Sequence, residues 1–255
     1  YYRVLNMATS TFNDGITPYW HKNIGGYHAA KLRRYQDLID VHLSKEMNAL
    51  HNDIIETQGN LDSIAGNNFE VLNMLNTKWV IMPAQGGQTL PVENPHAYGN
   101  AWFVDNVVYA SSPDEEIDAL GEVDLRNTVV INEHDAAQLD GWDISSKDSL
   151  STIALIEYDA NRLHYKVDAK KDELAVFSEI YYPAGWQINI DGAPAEMIRA
   201  NYTLRALPIP AGSKEVEFYF NPTSIKVTDT IAYIAIFLIV LTAGASLFFG
   251  RRKAK

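Results

Sequence analysis

The sequence of 255 residues contains no cysteine. Disulfide bonds, thiolate metal sites and a cysteine nucleophile are therefore excluded. The sequence also lacks the motifs GxSxG, HExxH, GxxxxGK(S/T) and GxGxxG and an EF-hand loop. Hydrolase, zincin, P-loop and dinucleotide-binding sites consequently have no support. We predict no metal site and no cofactor, and no motif identifies a catalytic residue.

Basic residues are scarce relative to acidic ones, and the formal net charge is −11 at pH 7. This balance argues against nucleic acid as a partner, because a negative surface repels a polyanion. Twelve acidic residues lie between Asp105 and Asp148, where only Arg126 and Lys147 are basic. A solvated acidic face is the favoured interpretation of this stretch, and a calcium site is the alternative.

A long run without charge lies near the C-terminus. The nineteen residues from Ile231 to Phe249 contain no charged side chain, and four basic residues follow within positions 251–255. A helix of this length reaches roughly 28 Å, close to the roughly 30 Å hydrocarbon core of a bilayer. We predict a transmembrane helix over residues 230–250, with a buried core helix as the alternative. The basic tail, residues 251–255, predicts a cytoplasmic C-terminus.

This orientation places residues 1–229 outside the cytoplasm. The N-terminal stretch YYRVLNMATSTFNDG has no initiator methionine and neither the basic nor the apolar region of a signal peptide. An external domain needs an upstream signal for its export. We therefore expect the chain to be the last extracytoplasmic region and the last helix of a larger membrane protein, and its upstream membrane helices to be partners.

Residues 1–148 predict a mixed α+β domain. The segment that begins GGYHAAKLRRY has apolar residues at helical spacing and predicts one long amphipathic helix that starts after Gly25 and Gly26. FEVLNML predicts a short helix, and SPDEEIDAL predicts a helix with a serine cap and an acidic first turn. The segments TKWVIMP, AWFVDNVVYA and TVVIN predict strands.

Residues 149–224 predict an all-β sandwich, because short alternating segments such as ELAVFSEIYY and KEVEFYFNP are separated by turn residues. Asp191-Gly192 predicts a two-residue hairpin turn, since both central positions of a type I′ turn need positive φ. The predicted interior side chains are Ala175, Phe177, Trp186, Ile188, Leu204, Val216 and Phe218. The fold class is thus α+β, with a mixed extracytoplasmic domain, a β-sandwich and one C-terminal transmembrane helix.

One segment, FNDGITPYWHKNIGGYHAAKLRRYQDL, combines side chains suited to proton transfer, anion binding and stacking on a sugar. Arg and Lys near a helix start favour a bound phosphate, and histidine and carboxylate side chains transfer protons. The alternative is that the basic residues form the solvated face of the helix and that the His and Tyr side chains fill its packing. The predicted substrate-binding residues are Asp14, His21, Tyr27, His28, Lys31, Arg33 and Arg34.

The strings FND, YWHKNIGGYHAAKLRRYQDLI, VLNMLNTKWVI, NPHAYGNAWFV, EIYYPAGWQINIDG and IRANYTLRALPIPAGSKEVEFYFNP follow one another along the chain. In these strings the sequence resembles the C-terminal part of the YfhO-type family of bacterial multi-pass membrane proteins, over most of residues 1–249. The resemblance implies a glycosyltransferase of GT-C architecture. In such enzymes, a bundle of membrane helices presents a site on the outer face and takes sugar from a polyprenyl-phosphate carrier.

The resemblance further implies transfer of the sugar to a cell-envelope polymer, as in the lipoteichoic acid glycosylation assigned to relatives. The implied location is the bacterial plasma membrane, with the soluble part outside and residues 1–148 above the membrane helices. GT-C enzymes usually carry their catalytic acidic residue in an early external loop, so the catalytic residues are expected outside this chain.

A membrane-anchored, non-catalytic module is the alternative function. Such a module would bind carbohydrate or a partner protein through exposed aromatic residues of the sandwich, namely Tyr181, Tyr182 and Trp186. Burial of the same rings in a small core is the competing interpretation of these residues.

Overall fold

The computed structural model of the chain describes the backbone of residues 1–253 and the side chains of residues 1–66 and 68–246. The helices are α1 (Thr17–Trp20), α2 (Arg33–Leu38), α3 (Ser44–Glu56), α4 (Glu70–Met74), α5 (Pro113–Ala119) and α6 (Thr223–Lys253). A π-helical segment, Ile39–Leu43, joins α2 to α3 without a break, and short 3-10 turns occupy Leu61–Ser63, Gly66–Phe69, Gln85–Gly87 and Glu133–Leu139.

The strands of the first half are β1 (Arg3–Asn6), β2 (Thr77–Pro83), β3 (Thr89–Glu93), β4 (Ala101–Val104), β5 (Asn106–Ala110) and β6 (Thr128–Asn132). Those of the second half are β7 (Thr152–Asp159), β8 (Arg162–Asp168), β9 (Glu173–Ile180), β10 (Trp186–Ile190), β11 (Ala193–Ala195), β12 (Ile198–Ala200), β13 (Leu204–Ile209) and β14 (Glu215–Phe220). The predicted α+β fold class is confirmed.

The first half is a mixed layer of helices and small sheets. Strand β1 runs parallel to β2, β3 pairs antiparallel with β2, and β5 pairs with β6 in parallel. The predicted helix at SPDEEIDAL is α5, where the Ser112 hydroxyl accepts a hydrogen bond from the backbone N–H of Glu115. One hydrophobic core connects the helices to the inner faces of these sheets.

The long amphipathic helix exists but starts later than predicted. It begins at Arg33 rather than directly after Gly26, and residues 27–32 are turn and coil. The two glycines serve a different purpose, because a Cβ at Gly25 would lie only 2.6 Å from the carbonyl carbon of Thr11 and Gly26 has a φ of +96°. The apolar stripe is buried as expected, at Leu38, Ile39, Leu43, Leu50 and Ile54.

The second half forms the predicted β-sandwich. One sheet has the strand order β11-β10-β14-β8-β7, and the other has the order β12-β13-β9-β4. Between them lies a second hydrophobic core, in which the rings of Tyr165, Phe177 and Phe218 meet edge to face with centroids 4.9 to 5.9 Å apart. Strand β4 comes from the first half of the chain and pairs with β9, so the two halves share one sheet.

The prediction of one strand over AWFVDNVVYA was wrong. The chain changes direction at Asp105, and β4 joins the sandwich whereas β5 pairs with β6. The carboxylate of Asp105 accepts a hydrogen bond from the backbone N–H of Lys147 at 2.7 Å and is 3.0 Å from the Lys147 ammonium. The polar pair Asp105-Asn106 interrupts the apolar run at this point, which marks the break between the two strands in the sequence.

The predicted hairpin and interior of the sandwich agree with the structure, with one exception. Asp191 and Gly192 have φ values of 49° and 80° and connect β10 to β11, as a type I′ turn requires. The predicted interior side chains are buried except Trp186, which is half-buried. Trp186 is the first residue of its strand, and its ring packs against Phe220 at the end of the sandwich.

The C-terminal helix α6 stands apart from the rest of the fold. The part from Thr223 to Ser246 is long and apolar enough to cross a membrane, and none of it is buried against the protein. The helix starts before the predicted span of residues 230–250. Its first turns contain Lys226 and Asp229, which lie outside the uncharged run on which the prediction rested. The side chains of the predicted basic tail, residues 251–255, lie outside the described residues.

Candidate functional site

The start of α6 identifies one end of the sandwich, which we call the α6 end. The N–H of Phe220 donates to the carbonyl of Asn161 at 2.8 Å, and the N–H of Asn221 donates to the carbonyl of Gly185 at 2.7 Å. The β7–β8 turn and the loop of residues 181–185 therefore surround the point from which α6 leaves at Thr223. Any membrane crossed by α6 lies beyond this end.

The predicted site segment, residues 12–35, is an ordered loop followed by the start of α2. The carboxylate of Asp14 accepts hydrogen bonds from the backbone N–H groups of Ile16 and Thr17, at 2.9 and 3.0 Å, and from the Thr17 hydroxyl. These bonds, that of the hydroxyl first, hold the pKa of Asp14 below its usual value. The N–H of Tyr27 donates to the carbonyl of Asp14 at 3.1 Å, which closes the loop.

The loop lies at the α6 end. The N–H of Val4 donates to the carbonyl of Lys22 at 2.8 Å, which fixes the loop along β1. The Lys22 ammonium sits 3.9 Å from the ring centroids of Tyr1 and Tyr158, and these two rings stack at 3.6 Å. Burial of the ammonium lowers the pKa of Lys22. Tyr158 directly precedes the β7–β8 turn, so this cluster connects the loop to the α6 end.

A first cleft of about 310 Å³ opens between the loop and the sandwich. Its walls include His28, Lys31 and Tyr35 from the loop and helix, and Arg3 and Ile180 from the two strands beneath. The Arg3 guanidinium is fixed in place by the carbonyl oxygens of residues 75 and 178, at 2.8 and 2.6 Å. The Tyr35 hydroxyl donates to a loop carbonyl at 2.7 Å, and burial raises the pKa of Tyr35 to about 12.

A second cleft of about 200 Å³ adjoins the first and shares Leu32, Tyr35 and Ile180 with it. It adds three cationic side chains and two tyrosines, namely Arg33, Arg34, Arg199, Tyr181 and Tyr202. The two clefts thus form one continuous depression with Leu32 on its rim. Basic residues line both of its halves.

The three arginines of the second cleft are held differently. Arg33 is exposed and pairs with Asp37 along the helix at 3.1 Å. The Arg34 guanidinium lies 3.0 Å from the carboxylate of Glu116, whose side chain is fully buried, and Arg199 lies 3.9 Å from the same group. Burial raises the pKa of Glu116, although both arginines oppose this shift. Arg34 is therefore also a structural residue, whereas Arg33 is free to reorient.

The floor of the second cleft contains a strained backbone. Asn201 and Tyr202 have φ values of 46° and 65°, a left-handed conformation that non-glycine residues rarely adopt in succession. The Tyr202 ring lies 4.3 Å from the Arg34 guanidinium carbon. The backbone N–H of Tyr202 donates to the carboxylate of Glu116 at 3.1 Å. The hydroxyl of Thr203 is buried and has no hydrogen-bond partner among the described residues. Such strain is characteristic of functional sites.

A third depression, the aromatic groove, lies on the other side of Tyr181 and has a volume of about 640 Å³. Its walls combine the aromatic side chains Tyr181, Trp186 and Tyr219 with the amides of Gln187 and Asn189. Tyr181 also lines the second cleft, so the groove adjoins that cleft at the α6 end and extends from there along β10 and β11.

The predicted site residues separate into two groups. His28 and Lys31 line the first cleft, and Arg33 and Arg34 line the second. The other three, Asp14, His21 and Tyr27, belong to the same loop but line neither cleft. Within the residues that the structure describes, no group of three or more His, Asp or Glu side chains has the arrangement of a metal site.

Sequence reasoning missed the part of the depression that comes from the second half of the chain. Arg199 and Tyr202 are more than 160 positions from Arg34, and only the fold brings them together. Both residues lie in the string IRANYTLRALPIPAGSKEVEFYFNP, inside the region for which alternation predicts the sandwich. The available signal was an Asn-Tyr pair inside that run, because asparagine adopts the left-handed conformation more readily than most residues.

The structure combines a folded domain with an exposed apolar helix that is long enough to cross a membrane. Residues 144–232, which cover most of the sandwich and the start of α6, match the family described as bacterial membrane protein YfhO. The predicted resemblance to this family is thus confirmed for the C-terminal part of the chain. Searches of the curated proteins and of the solved structures found no match.

Proposed function

We propose that the chain is the extracytoplasmic C-terminal region of a bacterial membrane glycosyltransferase, which transfers sugar from a polyprenyl-phosphate carrier to a cell-envelope polymer. The observation that carries this proposal is the basic depression at the α6 end. A lipid carrier presents its phosphate at the membrane surface, and this is the end of the domain that a membrane crossed by α6 would face. The match to a membrane protein family supports the same setting.

The carrier phosphate would be bound by the exposed cations of the depression. Arg33 forms an exposed ion pair with Asp37. Such a pair contributes a few tenths of a kcal/mol, so a bidentate contact to phosphate would replace it readily. Lys31 and His28 face the adjoining cleft and would contact the same phosphate. Arg34 would shape the depression through its fixed position against Glu116.

The remaining residues of the loop have a separate role in this proposal. Asp14 would hold the loop in shape, and His21 would face the cavity between the loop and the upstream membrane helices, with Tyr27 at the membrane-facing edge of the same loop. The catalytic residues would come from those helices and their loops. The basic tail supports an external position of both soluble parts, residues 1–148 and residues 149–224.

The aromatic groove favours a second candidate function, a membrane-anchored module that binds carbohydrate without catalysis. Rings such as Trp186 and Tyr219 offer flat apolar faces, and the amides of Gln187 and Asn189 offer paired donors and acceptors for sugar hydroxyls. In the first proposal, the same groove would hold the acceptor polymer beside the carrier site. The two functions therefore differ in whether sugar is transferred.

The test is sugar transfer by the full-length protein in membranes that contain labelled polyprenyl-phosphate sugar. The Lys31→Gln, Arg33→Gln double variant is expected to lose at least about tenfold in transfer at unchanged membrane abundance, because each charged contact to phosphate contributes about 1.5–3 kcal/mol. Lys45→Gln, an exposed position on α3, is the matched control and should transfer normally. Normal transfer by the double variant would reject the phosphate site.

The second candidate is tested on the same membranes. Absence of any transfer by the wild-type protein, together with polymer binding that weakens in Gln187→Ala, would favour the anchored binding module. Transfer by the wild-type protein would reject a purely non-catalytic role.

A further inference from the structure

The loop of residues 12–35 carries an unusual number of exposed apolar side chains. Ile16, Tyr19, Trp20 and Tyr27 each expose about seven-tenths of their surface, with values from 69% to 77%, and Leu32 exposes 44%. We call these five residues the aromatic tip. A backbone hydrogen bond from Tyr27 to Asp14 closes the loop at the tip, and the rings of Tyr19 and Trp20 pack edge to face at 4.8 Å.

The aromatic tip lies at the α6 end of the domain. Trp20 is two residues from Lys22, whose ammonium contacts Tyr158 beside the β7–β8 turn, and this turn is hydrogen bonded to Phe220. Leu32 lines both clefts together with Ile180, the last residue of β9. Two independent sets of contacts thus connect the tip to the end of the sandwich from which the membrane helix leaves.

The distance to the membrane is short. Only Asn221 and Pro222 separate β14 from α6, and the last charged residue before the apolar run is Asp229. The helix rises about 12 Å between Thr223 and Ile231, and the headgroup zone extends about 5–7 Å beyond the hydrocarbon core on each side. The α6 end therefore stands close to the headgroups, within reach of a loop that projects from it.

The charge of the loop complements a bacterial membrane surface. Residues 12–35 contain four Lys and Arg residues and a single acidic residue, Asp14, in a chain with a net charge of −11. Lys22 and Arg34 face Glu179 and Glu116 at 3.9 and 3.0 Å, so Lys31 and Arg33 supply the charge that a membrane surface would meet. Basic segments next to a membrane helix are attracted to anionic headgroups. Tyr and Trp are the residues most enriched at the membrane–water interface, where an apolar ring and a polar edge are both accommodated.

We propose that the aromatic tip lies in the headgroup region of the bilayer that α6 crosses, with an anionic lipid surface as its partner. This contact would make the domain rest on the membrane at two points, the base of α6 and the tip, with the opening of the two clefts between them. The proposal does not depend on sugar transfer and holds for either orientation of the helix.

The absence of cysteine allows a direct test with single labels. The whole chain carrying Trp20→Cys, Tyr27→Cys or Ala211→Cys is labelled with an environment-sensitive fluorophore and reconstituted in nanodiscs of phosphatidylcholine and phosphatidylglycerol. Some of the lipids carry a nitroxide quencher on the headgroup. Ala211 is exposed in the loop that joins β13 to β14 at the opposite end of the sandwich, and serves as the matched control.

Labels at positions 20 and 27 should be quenched several-fold more strongly than the label at position 211. Replacement of phosphatidylglycerol by phosphatidylcholine should weaken the quenching at position 20. Equal quenching at positions 20 and 211, in variants whose circular dichroism matches that of the parent chain, would overturn the proposal. Tyr27→Cys reports independently if Trp20→Cys disturbs the loop.

Discussion

The guanidinium of Arg34 and the carboxylate of Glu116 lie 3.0 Å apart, although the two residues are 82 positions apart in the chain. Their contact connects α2 to the first turn of α5 beneath the second cleft. Arg33, the preceding residue, points to solvent and pairs with Asp37 on its own helix. Two adjacent arginines of the predicted site thus have different structural roles, and this difference can be measured.

Arg34→Gln is expected to lower the free energy of unfolding by about 3 kcal/mol, because it removes the nearest cation from the buried carboxylate of Glu116 and leaves the backbone N–H of Tyr202 and the more distant Arg199. Arg33→Gln should change it by less than about 0.5 kcal/mol, since an exposed pair along a helix contributes little. Urea titrations of the whole chain in detergent micelles measure both values. Similar losses in the two variants would contradict the assignment of Arg34 as the structural partner.

The stability of the fold should depend on pH through Glu46. Its carboxylate accepts hydrogen bonds from the backbone N–H groups of Val71 and Leu72 at 3.0 and 2.8 Å, and burial raises the pKa of Glu46 from 4.5 to about 7. The folded state therefore holds this proton more tightly than the unfolded state. The contribution of Glu46 is fully present below about pH 4.5 and is lost as the pH rises through about 7.

We predict that this loss amounts to about 3 kcal/mol between pH 4.5 and pH 8. Glu46→Gln should abolish this dependence on pH, because glutamine does not titrate. The difference in unfolding free energy between wild type and variant should therefore change between pH 4.5 and pH 8 by the amount that Glu46 loses. Glu122→Gln, at an exposed position, is the control and should leave the wild-type profile intact. A difference between wild type and Glu46→Gln that stays constant with pH would refute the assignment.

Gly25 is expected to tolerate no side chain. A Cβ there would clash with the backbone of Thr11, whereas a Cβ at Gly15 meets nothing within 4 Å. Gly25→Ala should therefore lower the free energy of unfolding by about 2 kcal/mol or more, and Gly15→Ala should be nearly neutral. Thermal unfolding of both variants tests this contrast, which would fail if Gly25→Ala melted at the temperature of the wild type.

The proposed orientation can be tested with a membrane-impermeant maleimide. Ala211→Cys should react in intact cells, or in spheroplasts where an outer membrane shields the domain. Ala254→Cys, in the basic tail, should react only after the membrane is permeabilised. The opposite pattern would place the domain in the cytoplasm, away from the outer-leaflet carrier that the proposed function requires.

The sequence predicted those parts of the fold that local patterns determine. Alternation and the Asp191-Gly192 turn identified the sandwich, and the uncharged run identified α6. The long helix was predicted to start directly after Gly26, because a pair of glycines is typical of a helix boundary, but it starts at Arg33. Here the close passage of Thr11 requires them, and this contact between distant residues leaves no local pattern. The break at Asp105 coincides with the polar pair Asp105-Asn106, but no local pattern specifies that β4 and β5 join different sheets.

The candidate site was predictable only in part. The loop side of the depression was visible as a cluster of basic and aromatic residues around Lys31 and Arg33. The opposite wall, with Arg199 and Tyr202, depends on the pairing of β12, β13 and β9, which places residues near 200 beside residues near 34. The buried ion pair of Arg34 with Glu116 was equally invisible, because helical spacing cannot identify a partner on another helix.

The most direct test of the central claim is photo-crosslinking of the full-length protein, in its native membrane, with a polyprenyl-phosphate probe that carries a photoreactive group next to the phosphate. The account predicts crosslinked peptides from residues 12–35, with a yield that falls in the Lys31→Gln, Arg33→Gln double variant and is competed by unlabelled polyprenyl phosphate. Crosslinks confined to other parts of the protein, or an unchanged yield in the double variant, would contradict it.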